Sequence, residues 1–272
     1  MPELPEVETF ARTLRPGLTG RQILSAQLLW AKTLATPTPG EFARHITGQT
    51  IRDVSRRAKY LDLQLDDFHL FIHLRMSGDL ALQPADYQPQ KHDRLLLRLS
   101  DQRRSDYSTL TFNDPRKFGR IWLTDDPSSV TGRLGPEPLS DAFTPAWLYA
   151  ALRSRQRQMK PLLLDQGFLA GLGNIYTDEA LHLAGIHPLR ISDTITKEEA
   201  NRLHAAIRRA LEDGIEHNGA SIDWVYRGGG FQNYFRVYGR QGQACPVCGT
   251  AIERTVVGQR GTHYCPACQP ES

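Results

Sequence analysis

The feature that most restricts how this chain can fold is a set of four cysteines confined to its last 28 residues, Cys245-x2-Cys248 and Cys265-x2-Cys268, with 16 residues between the pairs. Each pair presents two thiolates to one ion, and a tetrahedral Zn²⁺ needs both pairs brought together by a β-hairpin. A closed four-thiolate set leaves no position for water, so an ion bound there is structural. Two disulfides are the competing reading. Nothing marks the chain as secreted, and it has no cysteine elsewhere, which argues against them. The expected hairpin strands are Ala251 to Val257 and Thr262 to Tyr264, leaving Gly258-Gln259-Arg260-Gly261 as the tip. An arginine at a rigid tip suits a phosphate.

The hairpin is a small part of 272 residues, whose 40% hydrophobic and 23% charged composition is that of a soluble protein with room for two cores. No stretch of about 18 uninterrupted apolar residues and no basic-then-apolar leader is present, so an intracellular protein without a membrane span is expected. Residues 20 to 125 read as strands: Ile23 to Trp30, Thr50 to Val54, Tyr60 to Leu65, His69 to Arg75, Arg94 to Leu99, Ser108 to Phe112 and Arg120 to Leu123. Turn signals such as Ser77-Gly78-Asp79 and Asn113-Asp114-Pro115 separate them at the spacing of an antiparallel sandwich, with one short helix around Glu41 to His45. Three prolines and two glycines between Pro127 and Pro138 predict a linker. Helices are expected at Pro145 to Leu152, Pro161 to Asp165, Asn174 to Ala184 and Lys197 to His217. The last is capped by Thr196 with Glu199 and stopped by Asn218-Gly219.

The net charge of +3 does not by itself point to nucleic acid, but the basic residues are bunched. Arg153, Arg155, Arg157 and Lys160 form one acid-free group, and Arg116, Lys117 and Arg120 a second; a solvated face is the plain reading of such runs. Gly171-Leu172-Gly173-Asn174-Ile175-Tyr176 opens a helix, so its backbone N–H groups could face a phosphate, although an ordinary turn between helices reads the same way. At the other end, Met1-Pro2-Glu3-Leu4-Pro5-Glu6 precedes Val7, Phe10, Ala11 and Leu14, which predict a helix over residues 5 to 15. Removal of Met1 would make the Pro2 secondary amine the N-terminus. An α-amine titrates near ~7.7–8.0 and is partly uncharged at neutral pH, so it is a candidate nucleophile that gives an iminium directly on attacking a sugar C1′. Glu3 and Glu6 lie within one turn to move protons.

Pro-Glu-Leu-Pro-Glu-Val-Glu from Pro2, Arg57-Ala58-Lys59-Tyr60-Leu61, His73-Leu74-Arg75-Met76-Ser77-Gly78, Asp114-Pro115-Arg116-Lys117-Phe118-Gly119, Gly171 to Tyr176 and the cysteine hairpin with Arg260 occur in one order over nearly the whole chain. Together they resemble the formamidopyrimidine-DNA glycosylases. The resemblance implies an α+β chain in two domains. An antiparallel β-sandwich with an N-terminal helix (residues 1–126) would be followed by a linker (127–139), a helix-two-turn-helix domain (140–235) and a zinc finger (236–270) holding one Zn²⁺ on Cys245, Cys248, Cys265 and Cys268. It further implies a monomeric base excision repair enzyme, glycosylase and lyase together, acting on double-stranded DNA with oxidised purines or abasic sites, in the cytoplasm and on the nucleoid. Pro2, Glu3, Glu6, Lys59 and Arg260 would be catalytic. Met76, Arg116 and Phe118 would fill the hole left by the expelled base. His73, His92, Arg155, Lys160 and Asn174 would contact DNA, and a loop over 219–232 would close over the base. The residues Asp223 to Arg227 are more aromatic than the family's usual segment. Two other readings stand beside this one: an endonuclease VIII-like enzyme for oxidised pyrimidines, and a non-catalytic zinc-ribbon protein that binds damaged DNA.

Overall fold

The computed structural model describes residues 1–100, 107–221 and 228–271. They form two compact units, the first chiefly Met1–Pro2 and Glu6–Arg133, the second Glu3–Pro5, Leu134–Ala220 and the chain from Gly229 on. The first unit contains most of α1 (Leu4–Leu18), then β1 (Ile23–Leu28), β2 (Leu34–Thr36), α2 (Pro39–Ile46), β3 (Asp53–Arg57), β4 (Tyr60–Gln64), β5 (His69–His73), β6 (Asp79–Pro84), β7 (Asp93–Leu99), β8 (Tyr107–Asn113), β9 (Arg120–Thr124) and α3 (Ser128–Thr131). Four strands pair in the order β1-β7-β8-β6 and five in the order β2-β9-β5-β4-β3. Every second residue of a strand points to the same face. Leu61 and Leu63 of β4, Leu70 and Ile72 of β5, Leu95 and Leu97 of β7, Leu110 and Phe112 of β8, and Ile121 and Leu123 of β9 therefore meet in one buried cluster. The stripe Val7, Ala11, Leu14 and Leu18 of α1 joins the same cluster, each residue at most 4% exposed.

Three departures from the expected elements have local causes. The helix α1 runs past residue 15 to Leu18 through Pro16, because burial of Leu18 holds a last turn that the proline deprives of one backbone bond. The strand β6 is additional to the expected set; it lies at a sheet edge, where Pro84 is tolerated at its end. The three-residue β2 is too short to show a period, and it pairs with β9 in parallel, the exception in an otherwise antiparallel sandwich. A single helical turn, α3, stands within the stretch expected as linker.

The second unit contains α4 (Pro145–Arg153), α5 (Met159–Leu164), α6 (Asn174–Ala184), α7 (Lys197–Glu216) and the hairpin β10 (Glu253–Val257) and β11 (Arg260–Tyr264). The capping box of Thr196 and Glu199 opens α7, and Asn218 and Gly219, both at positive φ, close it. Nine of the eleven residues of α6 are buried, Asp178 and Glu179 among them, so this helix is the unit's centre. Gly214 of α7 permits the contact with α6: a Cβ there would sit 2.4 Å from the Tyr176 ring. Among the described residues, no helix is long and apolar enough to cross a membrane.

Candidate active site

The N-terminus of α6 carries N–H groups that no helical carbonyl can satisfy, together with the positive end of the helix dipole. The Glu3 carboxylate takes them: Gly173 N–H donates at 2.7 Å, Ile175 N–H at 2.9 Å and Tyr176 N–H at 3.4 Å. Glu3 is 3% exposed, and the next residue is tied as well, Leu4 N–H donating to the Gly171 carbonyl at 3.1 Å. The glycines of Gly171-Leu172-Gly173 make this approach possible. A Cβ on Gly173 would lie 2.2 Å from the Glu3 carboxyl carbon, and one on Gly171, which has φ +98°, would lie 2.6 Å from Leu4. The amides expected to face a phosphate thus face a carboxylate of the same chain, a partner that is covalently supplied.

The hairpin carrying Arg260 is fastened to the same helix. Val257 pairs with Arg260, leaving a two-residue turn of Gly258 and Gln259, both at positive φ, so Arg260 is the exposed first residue of β11. The carbonyl of its neighbour Gly261 accepts from Lys160 Nζ at 2.9 Å and from Asn174 Nδ2 at 3.0 Å. Lys160 also meets Asp178 at 2.6 Å with both side chains wholly buried, and Asp178 accepts the His263 N–H at 2.9 Å. Burial draws the Lys160 ammonium below its ordinary range, against the opposing pull of Asp178 and Glu3. From the sequence, Lys160 and Asn174 are expected at DNA phosphates; within the chain, Lys160 pairs with a buried carboxylate and both side chains donate to one backbone carbonyl, partners not visible in a local stretch of sequence. Lys160→Met is expected to lower unfolding free energy by about 3–5 kcal/mol, because it strands a buried Asp178 charge. Denaturant melts check this, with Lys160→Met/Asp178→Leu expected to recover part of the loss.

The four cysteine sulfurs lie within 4.8 Å of one another and are all reduced. Zinc–sulfur bonds of about 2.3 Å place the corners of a tetrahedron roughly 3.8 Å apart, so the cluster fits one structural Zn²⁺. The N–H groups of Val247 and Cys268 point at Cys245 and Cys265 sulfurs at 3.4 Å, as suits thiolates. Glu179, the neighbour of Asp178 on α6, accepts from the N–H groups of Arg236, Val237 and Tyr238 at 2.8–3.0 Å and so fixes the segment entering the zinc module.

In the first unit, Pro2 and Glu6 are buried. Lys59, expected at a strand end, lies on the two-residue turn between β3 and β4, which pair through Arg57 and Tyr60, with Ala58 at φ +53°. The turn is braced by Arg56, which no sequence motif marks: it donates to the Ala58 carbonyl at 3.1 Å and to Glu8 of α1 at 3.0 Å. Burial opposes ionisation of Glu8, but hydrogen bonds and charge from Arg12 and Arg56 prevail and hold its carboxyl below the usual range.

His73 is buried, and burial, then the charges of Arg75 and Lys59, push its pKa down to about 3. Its Nδ1 accepts the Arg75 N–H at 3.0 Å, so the ring proton resides on Nε2. The side chain is a neutral donor. An NMR titration is expected to show no protonation of this ring between about pH 5 and 8. Unfolded, the same ring protonates near its ordinary 6.5. Its contribution to stability is therefore complete above pH ~6.5 and is lost as the pH falls from there to about 3.

Met76 and Phe118 are 40% and 49% exposed, unusual for their side chains, and the Arg116 guanidinium lies 4.9 Å over the Phe118 ring. His92 is half-buried, its carbonyl accepting the Asp114 N–H at 2.8 Å. In the basic group at 153–160 the three arginines are exposed and Lys160 is buried, and each arginine also has a partner within the chain. Arg153 binds the Asp193 carbonyl, Arg155 folds onto the Ala151 carbonyl and the Phe168 ring, and Arg157 pairs with Asp165 at 2.7 Å. Residues 222–227, the centre of the loop expected over 219–232, lie outside the described residues.

Residues 1–121 match the formamidopyrimidine-DNA glycosylase N-terminal domain, 134–225 the formamidopyrimidine-DNA glycosylase H2TH domain, and 242–270 the zinc finger found in FPG and IleRS. The chain is 50% identical to the formamidopyrimidine-DNA glycosylase of Chloroflexus aggregans, covering 99% of this chain and 98% of that one. It is 46% identical to the Roseiflexus sp. protein of the same name, covering 99% and 100%. A Lactococcus lactis FPG mutant in complex with a Fapy-dG containing DNA superposes with a TM-score of 0.91 at 37% identity, covering 99% and 100%. The wild-type Lactococcus lactis protein with an oxidized pyrimidine containing DNA gives 0.90 at 38%, with the same coverage.

Proposed function

Because the chain belongs to the formamidopyrimidine-DNA glycosylase family, we propose that it excises 8-oxoguanine and formamidopyrimidines from duplex DNA and nicks the abasic site that remains. It is a base excision repair enzyme, a DNA glycosylase and abasic-site lyase with one structural zinc. The observation that carries the mechanism is the seating of Glu3, one peptide bond from Pro2, on three N–H groups at the N-terminus of α6, those of Gly173, Ile175 and Tyr176. A carboxylate held beside an N-terminal secondary amine is placed to move protons at the carbon that amine attacks.

With Met1 removed, the Pro2 nitrogen forms a bond to C1′ as the base departs with the glycosidic electron pair. Glu3 assists proton transfer to the sugar ring oxygen as the ring opens to an iminium. Loss of the C2′ proton expels the 3′ phosphate, and a second elimination expels the 5′ phosphate, so the strand is cut on both sides. Lys59 and Arg260 assist these later steps, with Glu6 supporting the amine. Met76, Arg116 and Phe118 occupy the space of the everted nucleotide, Met76 and Phe118 as wedges and Arg116 as a hydrogen-bond donor to the widowed base. His73 donates to the DNA backbone through Nε2–H, and His92 and Arg155 add contacts there. The enzyme works as a monomer in the cytoplasm. The zinc supplies no chemistry and fixes the module that bears Arg260.

Borohydride trapping on an 8-oxoguanine·C duplex, with mass spectrometry of the crosslinked peptide, tests this reading: attachment at Pro2 supports it, and attachment at Lys59 overturns the roles. The solved complex of the Lactococcus lactis protein with an oxidized pyrimidine containing DNA keeps a second lesion class in view. Competition between 8-oxoguanine and thymine glycol duplexes ranks the two.

A further inference from the structure

Three side chains that the proposed function needs at the DNA stand on two separate turns, Met76 between β5 and β6, and Arg116 with Phe118 between β8 and β9. All three are exposed, yet the backbone beneath them is among the most buried of the first unit: Ser77 is 2% exposed and Asp114 0%. Asp114 joins the two turns. Its Oδ1 accepts the Ser77 hydroxyl from one turn and, at 3.2 Å, the Arg116 N–H from the other; its Oδ2 accepts the Gly119 N–H at 2.7 Å. Ser77 Oγ in turn accepts from Arg116 N–H at 3.3 Å, so hydroxyl, carboxylate and amide form one closed set. The Asp114 backbone is held too, the carbonyl accepting Arg94 Nε at 2.8 Å and the N–H donating to the His92 carbonyl at 2.8 Å.

Close packing repeats the link. A Cβ on Gly78 would lie 2.8 Å from the Phe112 ring and 2.5 Å from the Leu74 carbonyl, and one on Gly119 would lie 2.4 Å from the same ring. Both turns are therefore seated against Phe112, itself 1% exposed. On the outer side, Lys117, at φ +60°, lays its ammonium 3.9 Å over the Trp30 ring, so the loop is braced from both flanks.

We infer that Asp114 is a positioning residue that locks the Met76 turn and the Arg116–Phe118 loop into one rigid probe, and thereby sets the enzyme's ability to open an intact duplex. The inference rests on the wedge roles given under the proposed function. Every partner of the Asp114 side chain is a donor, so a neutral amide cannot replace it: in Asp114→Asn, one oxygen is exchanged for an NH₂ that faces an N–H or an O–H. A probe that has lost its lock spends its intercalation energy on ordering the two turns instead of unstacking the base. Cleavage of a preformed abasic site in single-stranded DNA requires no such opening.

The test follows 2-aminopurine fluorescence beside the lesion as the duplex opens, together with excision from 8-oxoguanine·C duplex and cleavage of a single-stranded abasic site. Asp114→Asn is expected to slow opening and excision by about tenfold or more, the effect of leaving buried donors unpaired, while single-strand cleavage stays within about twofold. Ser77→Ala, which removes the hydroxyl's bonds to Asp114 and to the Arg116 N–H but leaves the Asp114 carboxylate bound to the N–H groups of Arg116 and Gly119, is expected to shift the same ratio in the same direction by less. Wild-type opening in Asp114→Asn overturns the positioning role and leaves the wedge standing. An equal loss in all three readouts for both variants shows a merely structural residue and also overturns it. If Met76→Ala and Phe118→Ala open the duplex normally, the wedge reading fails and takes the positioning role with it.

Discussion

Protein that retains one uncleaved residue ahead of Pro2 will give no borohydride-trapped adduct and will nick 8-oxoguanine duplexes at least about 10³-fold more slowly than protein beginning at Pro2. The cause is electronic. A prolyl nitrogen inside the chain is an amide whose lone pair is delocalised into the carbonyl, whereas the free secondary amine titrates near ~7.7–8.0 and is partly neutral at working pH. Pro2→Gly separates nucleophile from scaffold, since a primary amine can still form an imine; it should keep a trappable adduct at reduced rate. Nicking at full speed by the extended protein would remove the basis for the proposed chemistry.

Gly173→Ala is expected to reduce excision by about 10² to 10⁴-fold, the range a displaced general acid–base group commands, and to match Glu3→Ala in doing so. The added methyl would stand 2.2–2.6 Å from three atoms of the Glu3 side chain, which is flexible enough to leave without unfolding the helix. Gly173 has φ −126°, open to any residue, so the backbone itself raises no objection. The loss is therefore one of Glu3's place at the α6 N-terminus, and thermal stability should change far less than activity. A double variant, Glu3→Ala/Gly173→Ala, should be no slower than either single change. A Gly173→Ala enzyme with full activity would show that the seat of Glu3 is unimportant to the chemistry.

Elements with strong local signals were legible in the sequence. The period-2 leucines of β4, the four-residue repeat of Leu203, Ile207, Leu211 and Ile215 in α7 with its capping box, and the paired cysteines each encode their structure within a few residues. The β2 strand, at three residues, and the edge strand β6 ending in Pro84 carry no such signal. The same division runs through the site. Pro2, Glu3, Lys59 and Arg260 stand in motifs that can be read one at a time. Asp178 and Glu179 stand in no recognisable pattern, and the motifs that contain Glu8 and Asp114 do not reveal what those carboxylates bind, because the partners lie far along the chain: Arg56 for Glu8, Ser77 for Asp114, Lys160 and His263 for Asp178, and residues 236–238 for Glu179.

Sequence alone determined that this chain would build a strand-rich first part, a helical second part and a thiolate hairpin, and it supplies the Pro2 amine on which the proposed chemistry rests. Those depend on periodicity, spacing and the nature of single groups. Tertiary structure decided which polar groups were already taken. The sequence does not show that Lys160 and Asn174 also bind Gly261 and Asp178, and the amides at the start of α6 look vacant until Glu3 fills them. A buried donor or acceptor must find a partner, and which partner it finds depends on distance in space, a quantity that order along the chain does not contain.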